Sequence, residues 1–205
     1  MQKSAQLPQS AQSVSSPEKP HALCPWWLGY ILASPVRKLL QNPQKLLAGH
    51  VRPGMIVLEP GPGMGFFTLE LARRVGTSGR VIAVDIQLQM LEGLRRRAAR
   101  AGVLENIELR QARPESLGLS DLEGAVDFTL AVAMVHEMPS AEWFFRQAAY
   151  VSKPGARLLL VEPKGHVSVS HFENELRAAH DVGFIAVESE PVRRSHSALL
   201  ERAKG

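Results

Sequence analysis

A short apolar run that ends in a cluster of glycines is the feature that most constrains the fold of this chain. Residues 55–60 read Met-Ile-Val-Leu-Glu-Pro, and Gly61, Gly63 and Gly65 follow at alternate positions before Phe66. The run has the composition of a buried strand, and the glycines permit a sharp turn with positive φ angles directly into a helix. Glycines also let a ligand approach the backbone without meeting a Cβ atom. In an open α/β sheet, a ligand at such a turn lies beyond the carboxyl end of a parallel strand.

The spacing of these glycines separates two classes of nucleotide-binding turn. A dinucleotide-binding turn has its third small residue three positions after the second glycine, and Phe66 occupies that position here. Glu59 lies two positions before Gly61. The segment resembles motif I of the class I S-adenosylmethionine (SAM)-dependent methyltransferases, and the resemblance implies that Glu59, Gly61, Pro62 and Gly63 bind the cofactor SAM. The alternative is a tight strand-to-helix turn that binds no ligand.

A second apolar run, residues 80–85, ends in Asp85 about 20 residues after the glycine turn. At this distance a nucleotide-binding βαβ unit places a carboxylate against ribose hydroxyl groups. The run and the following Ile86 resemble motif II of the same methyltransferases, which implies that Asp85 and Ile86 bind the cofactor. Asp85 is also suited to cap the next helix, and the two roles are compatible.

The loop after the third predicted strand departs from the family pattern. Related small-molecule methyltransferases commonly carry Gly-Asp-Ala there, with the Asp on the adenine amino group, whereas this chain has Arg113 at the Asp position. Arginine cannot accept a hydrogen bond, so adenine would be held by the Ala112 backbone, by stacking on the Arg113 guanidinium, or by Glu115. The resemblance also implies that Ala131, in the fourth predicted strand, belongs to the cofactor site.

Strand and helix patterns alternate from residue 50 onward, which indicates a parallel sheet covered by helices on both faces. We expect an α/β fold, a three-layer Rossmann-like sandwich with a seven-stranded, mostly parallel sheet and an antiparallel final strand. Strands are predicted at 56–59, 80–85, 107–110, 126–132, 157–162, 183–188 and 198–202. Helices are predicted at 66–75, 88–101 and 141–151, the last stopped by Lys-Pro-Gly at 153–155. A further helix should start at a capping box of Ser170 and Glu173 and end near Asp181.

Three segments are expected along the 205 residues: a disordered tail over 1–20, an N-terminal helical cap over 21–49 and a methyltransferase domain over 50–205. The tail is rich in Gln, Ser and Pro, and it lacks both the apolar core of a signal peptide and the arginine of a transit peptide. One cysteine excludes an intrachain disulfide, and no apolar stretch approaches the roughly 18 residues of a membrane span. We therefore expect a cytoplasmic protein, whose oligomeric state the sequence leaves open.

Candidates for the chemistry follow the fourth and fifth predicted strands. His136 and Glu137 come after the fourth strand, at the carboxyl rim of the sheet and beside the expected position of the transferred methyl group. The ordinary pKa of histidine suits a general base, so His136 is the candidate catalytic residue; lining of the substrate pocket or support of the loop are its alternatives. Lys164 and His166 follow the fifth strand, where they could meet an acidic substrate group or belong to a solvated loop.

Residues 21–30 contain Trp26, Trp27, Tyr30 and the single cysteine, Cys24. Class I methyltransferases often place an N-terminal helical segment over the active site, so the resemblance implies that these three aromatic residues line the substrate pocket. The alternative is an apolar anchor that packs the cap onto the sheet. Cys24 and His21 would be two ligands without further partners, so we expect no metal site.

Charge and composition bear on the substrate class. The formal net charge of +4 is small, and the basic cluster 95–97 with Arg100 has no interleaved aromatic residues, so it is interpreted as a solvated helix face rather than a nucleic-acid-binding surface. The order of elements resembles the methyltransferase branch typified by ubiquinone/menaquinone-biosynthesis C-methyltransferases. We predict methyl transfer from SAM to a small, hydrophobic or aromatic molecule. The alternatives are an RNA methyltransferase and a non-catalytic SAM-binding protein.

Overall fold

The computed structural model describes residues 42–188 and 191–204. Within these ranges seven strands form one sheet, in the order β3-β2-β1-β4-β5-β7-β6. The strands are β1 Ile56–Pro60, β2 Arg80–Asp85, β3 Ile107–Gln111, β4 Val126–Val132, β5 Ser152–Pro163, β6 Phe184–Glu188 and β7 Ser195–Arg202. Strands β1 to β5 pair in parallel, whereas β7 runs antiparallel to both β5 and β6. The predicted seven-stranded, mostly parallel sheet with an antiparallel final strand is confirmed.

Helices cover both faces of this sheet. The α-helices in the described ranges are α1 Pro43–Leu46, α2 Thr68–Val75, α3 Leu88–Arg100, α4 Ala141–Val151 and α5 Val169–Asp181. On one face α2 and α3 bury Leu71 and Leu94, and on the other face α4 and α5 bury Phe145 and Ala179. Full burial of a Leu or Phe side chain stabilises a fold by about 1.5–3 kcal/mol, so these two cores hold the three layers together. The three-layer Rossmann-like sandwich is confirmed.

Two local predictions are wrong. The side chain of Ser168, not Ser170, caps α5, and it accepts a hydrogen bond from the His171 amide at 3.2 Å. The amides of His166 and Val167 both donate to the Pro163 carbonyl, and this tight turn brings Ser168 to the start of the helix. Helix α2 begins at Thr68 rather than Phe66, because the backbone from residue 64 to residue 67 forms turns.

The Lys-Pro-Gly segment at 153–155 is a third departure from the predicted elements. Helix α4 ends at Val151 as predicted, but β5 begins immediately, at Ser152, and includes residues 153–155. Val126 pairs with Ser152, and Phe128 pairs with Arg157, so the intervening residues of β5 form a bulge in the ladder. A bulge accommodates proline and a glycine of positive φ inside a strand.

The predicted N-terminal cap is described only from residue 42 onward, where it contains α1. Asn42 caps this short helix by accepting from the Gln44 amide at 2.9 Å, and the following Leu47 is fully buried in the core beneath α2. Residues 21–41 and the predicted tail lie outside the described residues. In the described part of the chain, no helix is both long and apolar enough to cross a membrane.

Candidate active site

The glycine turn lies between β2 and the loop that follows β4. The Gly61 amide donates to the Val84 carbonyl at 2.9 Å, which fastens the turn beside the end of β2. Gly61 has a φ of +66°, and a Cβ atom added there would lie 3.1 Å from the Met134 Cβ. Gly63 has a φ of +53°, and a Cβ atom added there would meet nothing within 4 Å. The turn is therefore closely packed at Gly61 and open at Gly63, which is the arrangement that a ligand approaching the backbone requires.

Two carboxylates flank this turn. Glu59 is buried in β1, where it is paired with Ala83 of β2. Asp85 ends β2 with 9% of its surface exposed, and its Oδ1 accepts from the Gln87 amide at 2.9 Å. Burial raises the pKa of Asp85 to about 6; backbone hydrogen bonds from Gln87 and Gly63 oppose this increase, and the charge of Glu137 adds to it. Asp85 is thus a poorly solvated carboxyl group directly beside the open part of the turn.

Asp85 is not the N-cap residue of the helix that follows it. The N-cap residue of α3 is Gln87, whose side chain makes no capping hydrogen bond. Asp85 lies two residues earlier, and its carboxylate joins the start of this helix to the glycine turn.

The loop after β3 adjoins the same carboxylate through its backbone. The Ala112 amide donates to the Asp85 carbonyl at 3.0 Å, and Ala112 is buried. Arg113 and Ser116 exchange backbone hydrogen bonds of 2.8 and 3.1 Å, which close a tight turn that leaves Arg113 exposed. The hydrogen bond between Ala112 and Asp85 holds the Ala112 backbone directly beside the end of β2. Ala131 is fully buried within β4, beneath the rim of the sheet.

The His136 side chain is held by a carboxylate from the neighbouring strand. His136 lies in a single turn of 3-10 helix, Val135–Glu137, and its Nδ1 forms a 2.5 Å hydrogen bond with Glu162 Oε2 at the end of β5. The other oxygen of Glu162 accepts from the amides of Val135 at 2.8 Å and Met134 at 3.3 Å. Glu162 is fully buried, and these three groups supply its hydrogen-bond partners in the protein interior.

The backbone is strained where this loop leaves β4. Ala133 has a φ of +54°, a left-handed conformation that is unfavourable for a residue with a Cβ atom. Its amide donates to the Val161 carbonyl at 2.7 Å, and the next two amides turn toward Glu162. Such strain costs about 1–3 kcal/mol and is found mainly at functional sites. Here it accompanies the change in backbone direction that presents two consecutive N–H groups to one carboxylate oxygen.

The Glu162 hydrogen bond determines what His136 can do. With Nδ1 as the donor to Glu162, neutral His136 has Nε2 as its acceptor nitrogen. Burial lowers the pKa of His136, but the hydrogen bond and the charge of Glu162 outweigh it and raise the pKa above its ordinary value. The side chain is 16% exposed, so Nε2 belongs to a basic imidazole at the surface of the rim. This arrangement can accept a proton from a bound molecule.

Glu137 interacts electrostatically both with Asp85 beside the glycine turn and with the His136–Glu162 pair. Burial raises its pKa, and the charge of Glu162 raises it further against the opposing effects of His136 and His166. Glu137 also acts on Asp85, on the glycine-turn side. The predicted cofactor acid and the predicted base therefore lie on one edge of the sheet.

Several other predicted site residues have a clear position. His166 is exposed, with its ring centroid 5.8 Å from that of His136, and Lys164 is exposed in the same loop. Within the basic cluster Arg95 and Arg100 are exposed, as a solvated face requires. Arg97 is the exception, because its guanidinium is partly buried and donates to the Met64 carbonyl in the glycine turn.

The remaining predictions lie beyond the described residues. The proposed aromatic lining of Trp26, Trp27 and Tyr30 falls there, as do His21 and Cys24. Among the residues that are described, no group of three or more His, Cys, Asp or Glu side chains is arranged to hold a metal ion.

Two acidic residues of this rim were missed as functional groups. Glu162 lies at the end of the predicted strand 157–162, and its partner His136 is 26 residues away in the chain. Glu175 is buried on α5. Its one sequence signal is an acid at a position where the helical period calls for an apolar residue, between Phe172 and Ala179.

Comparisons with known proteins agree with this geometry. Residues 57–155 match a family model described as a methyltransferase domain. Two relatives, from Enterobacter sp. (strain 638) and Salmonella arizonae, are named ubiquinone/menaquinone biosynthesis C-methyltransferase UbiE; each is 35% identical over 112 residues, which make up 55% of this chain and 44% of the relative. The chain thus spans less than half the length of these curated relatives.

Solved structures show the likeness of the whole fold. A SAM-dependent methyltransferase from Aquifex aeolicus has a TM-score of 0.77 at 24% identity, over 87% of this chain and 98% of that one. A structure from Methanococcus maripaludis, titled as an S-adenosyl-L-methionine-dependent methyltransferase, has a TM-score of 0.72 at 12% identity, over 94% of this chain and 99% of that one.

Proposed function

We propose that this chain, which belongs to the class I SAM-dependent methyltransferases, transfers a methyl group to a small, hydrophobic or aromatic acceptor. Its cofactor is SAM, as for the family. One observation carries the proposal: Asp85 ends β2 and His136 follows β4, and because these two strands flank β1 in parallel, the buried carboxyl group and the imidazole lie at the same edge of the sheet. A cofactor held by Asp85 would present its methyl group to an acceptor molecule bound at His136.

The residues at the glycine turn fit the cofactor. The backbone is open at Gly63, and the neighbouring Asp85 carboxyl group is buried with a raised pKa, so hydroxyl donors from a ligand would improve its environment. We propose that Asp85 holds the ribose hydroxyls and that the Ala112 carbonyl meets the adenine amino group. The other proposed cofactor residues are Glu59, Gly61, Pro62, Ile86, Arg113 and Ala131.

His136 is proposed as the general base. SAM, when bound, supplies a methyl group made electrophilic by its sulfonium centre. The Nε2 atom of His136 would take a proton from the acceptor, whose electron pair would bond to the methyl carbon as the carbon–sulfur bond breaks and the neutral thioether leaves. Glu162 orients the ring through Nδ1 and would stabilise the imidazolium that results.

The acceptor class follows from the need for such a base. A general base contributes only when the nucleophile carries a proton at the working pH. Phenols and reduced quinones have an acidic O–H group. Removal of its proton makes both the oxygen and the adjacent ring carbons nucleophilic. The curated relatives are named as C-methyltransferases of ubiquinone/menaquinone biosynthesis. We therefore propose carbon methylation of a reduced, quinone-type ring, with Trp26, Trp27 and Tyr30 and the rim of His136 as its binding surface.

The test uses the full chain in two steps. Calorimetry with SAM and with its demethylated product measures cofactor binding, and no binding at millimolar cofactor would contradict the assignment. Transfer from methyl-labelled SAM is then measured with a panel of reduced demethylated quinones and simple phenols, and with bulk RNA in parallel. Label in the aromatic ring carbon supports the proposal. Label in RNA that is lost steeply with added salt would favour an RNA methyltransferase, and binding without any transfer would favour a non-catalytic protein.

A further inference from the structure

Glu175 is a buried carboxyl group that the proposed mechanism does not use. It lies on α5, on the face that packs against the sheet, and only 1% of its surface is exposed. Its neighbours on that face, Phe172, Ala178 and Ala179, are apolar and buried. An acid at such a position departs from the apolar stripe that an ordinary surface helix presents to its core.

The burial of this side chain is uncompensated. Neither carboxyl oxygen of Glu175 has a hydrogen-bond partner in the described structure. His171 lies on the preceding turn, with its Nε2 3.5 Å from Oε1 and its side chain about half exposed. A buried polar group without partners costs about 1–3 kcal/mol, and an ionised one costs more. A residue retained at such a cost is a candidate for a functional role.

The groups that face Glu175 belong to the proposed active site. Glu162 at the end of β5 pairs with His196 of β7, whose ring stacks on Phe172, one turn before Glu175 on α5. Glu162 and His136 both act on Glu175 electrostatically. Burial and the charge of Glu162 raise the pKa of Glu175 and His136 lowers it, and the resulting pKa is about 8. At neutral pH Glu175 is therefore mainly protonated and contributes little charge near His136.

The other titratable groups around this cluster lie farther along the rim. His166, from the loop after β5, approaches the His136 ring, and Glu137 acts on His136 from the same 3-10 turn. His196 of β7 stacks on Phe172 with ring centroids 5.4 Å apart. These groups surround the cluster on the solvent side, whereas Glu175 is enclosed by the core.

We propose that Glu175 is a positioning residue of this site, and that its carboxyl group in the core controls the negative charge that His136 experiences alongside Glu162. The proposal rests on the assignment of His136 as the base. When Glu175 is neutral, it adds no negative charge near His136, and the imidazole can release its proton after each turnover. When Glu175 ionises, a further carboxylate charge is added, and His136 holds its proton more tightly. The two titrations are therefore coupled: ionised Glu175 raises the proton affinity of His136, and protonated His136 lowers the proton affinity of Glu175.

The test follows the His136 ring by NMR in the full chain, from pH 5 to pH 10, with its signals assigned by comparison with His136→Gln. In the wild type, we expect a second inflection of these signals near pH 8, from the ionisation of Glu175. Glu175→Gln keeps the shape and neutrality of the protonated acid, so the second inflection should disappear. Glu173→Gln, which removes an exposed acid of the same helix, is the matched control and should retain the inflection. Superimposable His136 curves for the wild type and Glu175→Gln would overturn the proposal.

A second measurement needs no variant. The carboxyl carbon of Glu175, labelled with 13C, should titrate near pH 8 in the wild type, and titration in the ordinary range of glutamate would also overturn the proposal. Both readouts are made without substrate turnover. A failure to find methyl transfer would therefore count against the proposed function alone, whereas a missing coupling would count against this inference alone.

Discussion

Cofactor affinity should fall as the pH is lowered from 7 to 5, because Asp85 takes up a proton in that range. Burial raises the pKa of this group from 3.8 to about 6, and the proposed contact requires the carboxylate to accept hydrogen bonds from ribose hydroxyls. The protonated acid retains one donor and loses much of its strength as an acceptor. The matched variant is Asp85→Asn, which has nearly the same shape and does not titrate.

The size of the effect follows from the pKa of about 6. Roughly ten-elevenths of the carboxyl groups are ionised at pH 7 and roughly one-eleventh at pH 5, so the apparent Kd should rise about tenfold between them. Hydrogen bonds to a charged group contribute about 1.5–3 kcal/mol. Asp85→Asn should therefore bind about tenfold more weakly than the wild type at pH 7 and show little pH dependence.

Stability should change in the opposite sense to binding. The folded-state pKa of Asp85 lies above its ordinary 3.8, so the folded protein holds this proton more tightly than the unfolded chain does. The stabilisation is fully present below about pH 4 and is lost as the pH rises through 6, at a cost of up to about 3 kcal/mol. Asp85→Asn removes this loss, so its free energy of unfolding at pH 7 should exceed that of the wild type.

The assay is calorimetric titration with 5′-methylthioadenosine, which carries the adenine and ribose of SAM but not its ionisable amino-acid group. Other groups of the protein that titrate in this range are the same in the wild type and in Asp85→Asn, so the difference between the two isolates Asp85. Equal affinity of the wild type at pH 5 and pH 7 would refute the reasoning. The same pH slope in Asp85→Asn would refute it as well.

Three further predictions concern the base, the acceptor surface and the turn. His136→Gln should reduce single-turnover methyl transfer by about 10²–10⁴-fold with an unchanged Kd for SAM; unchanged turnover would exclude a base at this position. Trp26→Ala with Trp27→Ala should raise the KM of the acceptor and leave calorimetric SAM affinity intact, and an unaffected KM would remove these residues from the acceptor surface. Gly61→Ala should lower the free energy of unfolding, measured by urea titration, by about 1–2 kcal/mol, because its φ is +66° and its Cβ would crowd the loop after β4. Gly63→Ala, with a φ of +53° and open space at its Cβ, should be less destabilised and should mainly lose SAM affinity; equal SAM affinity in both variants would contradict an open cofactor face.

The fold and the cofactor half of the site were predictable because their signals are local. The apolar run 55–60, the glycines after it and the carboxylate at Asp85 are each contained within one strand and its following turn. Strands buried on both faces must be apolar along their whole length, and connections to parallel neighbours must pass through helices. These requirements produce apolar runs separated by helical patterns, and both can be recognised in the sequence alone.

Errors arose where the decisive partner is remote or where two local signals compete. Lys-Pro-Gly at 153–155 has the composition of a turn, but pairing with β4 draws it into β5 as a bulge. Ser170 has the spacing of a capping residue, but the turn after Pro163 brings Ser168 to the helix start. In both cases tertiary hydrogen bonds outweigh a weak local preference.

The base of the site depends on tertiary structure. His136 becomes a basic imidazole with a defined tautomer only because Glu162, 26 residues later, ends the adjacent parallel strand. Glu175 joins them because α5 returns across the sheet with its acid facing inward. Burial then raises the pKa of both Asp85 and Glu175. Residue types and spacings identify the cofactor, whereas proton affinities depend on the solvent that folding removes and the charges that it brings together.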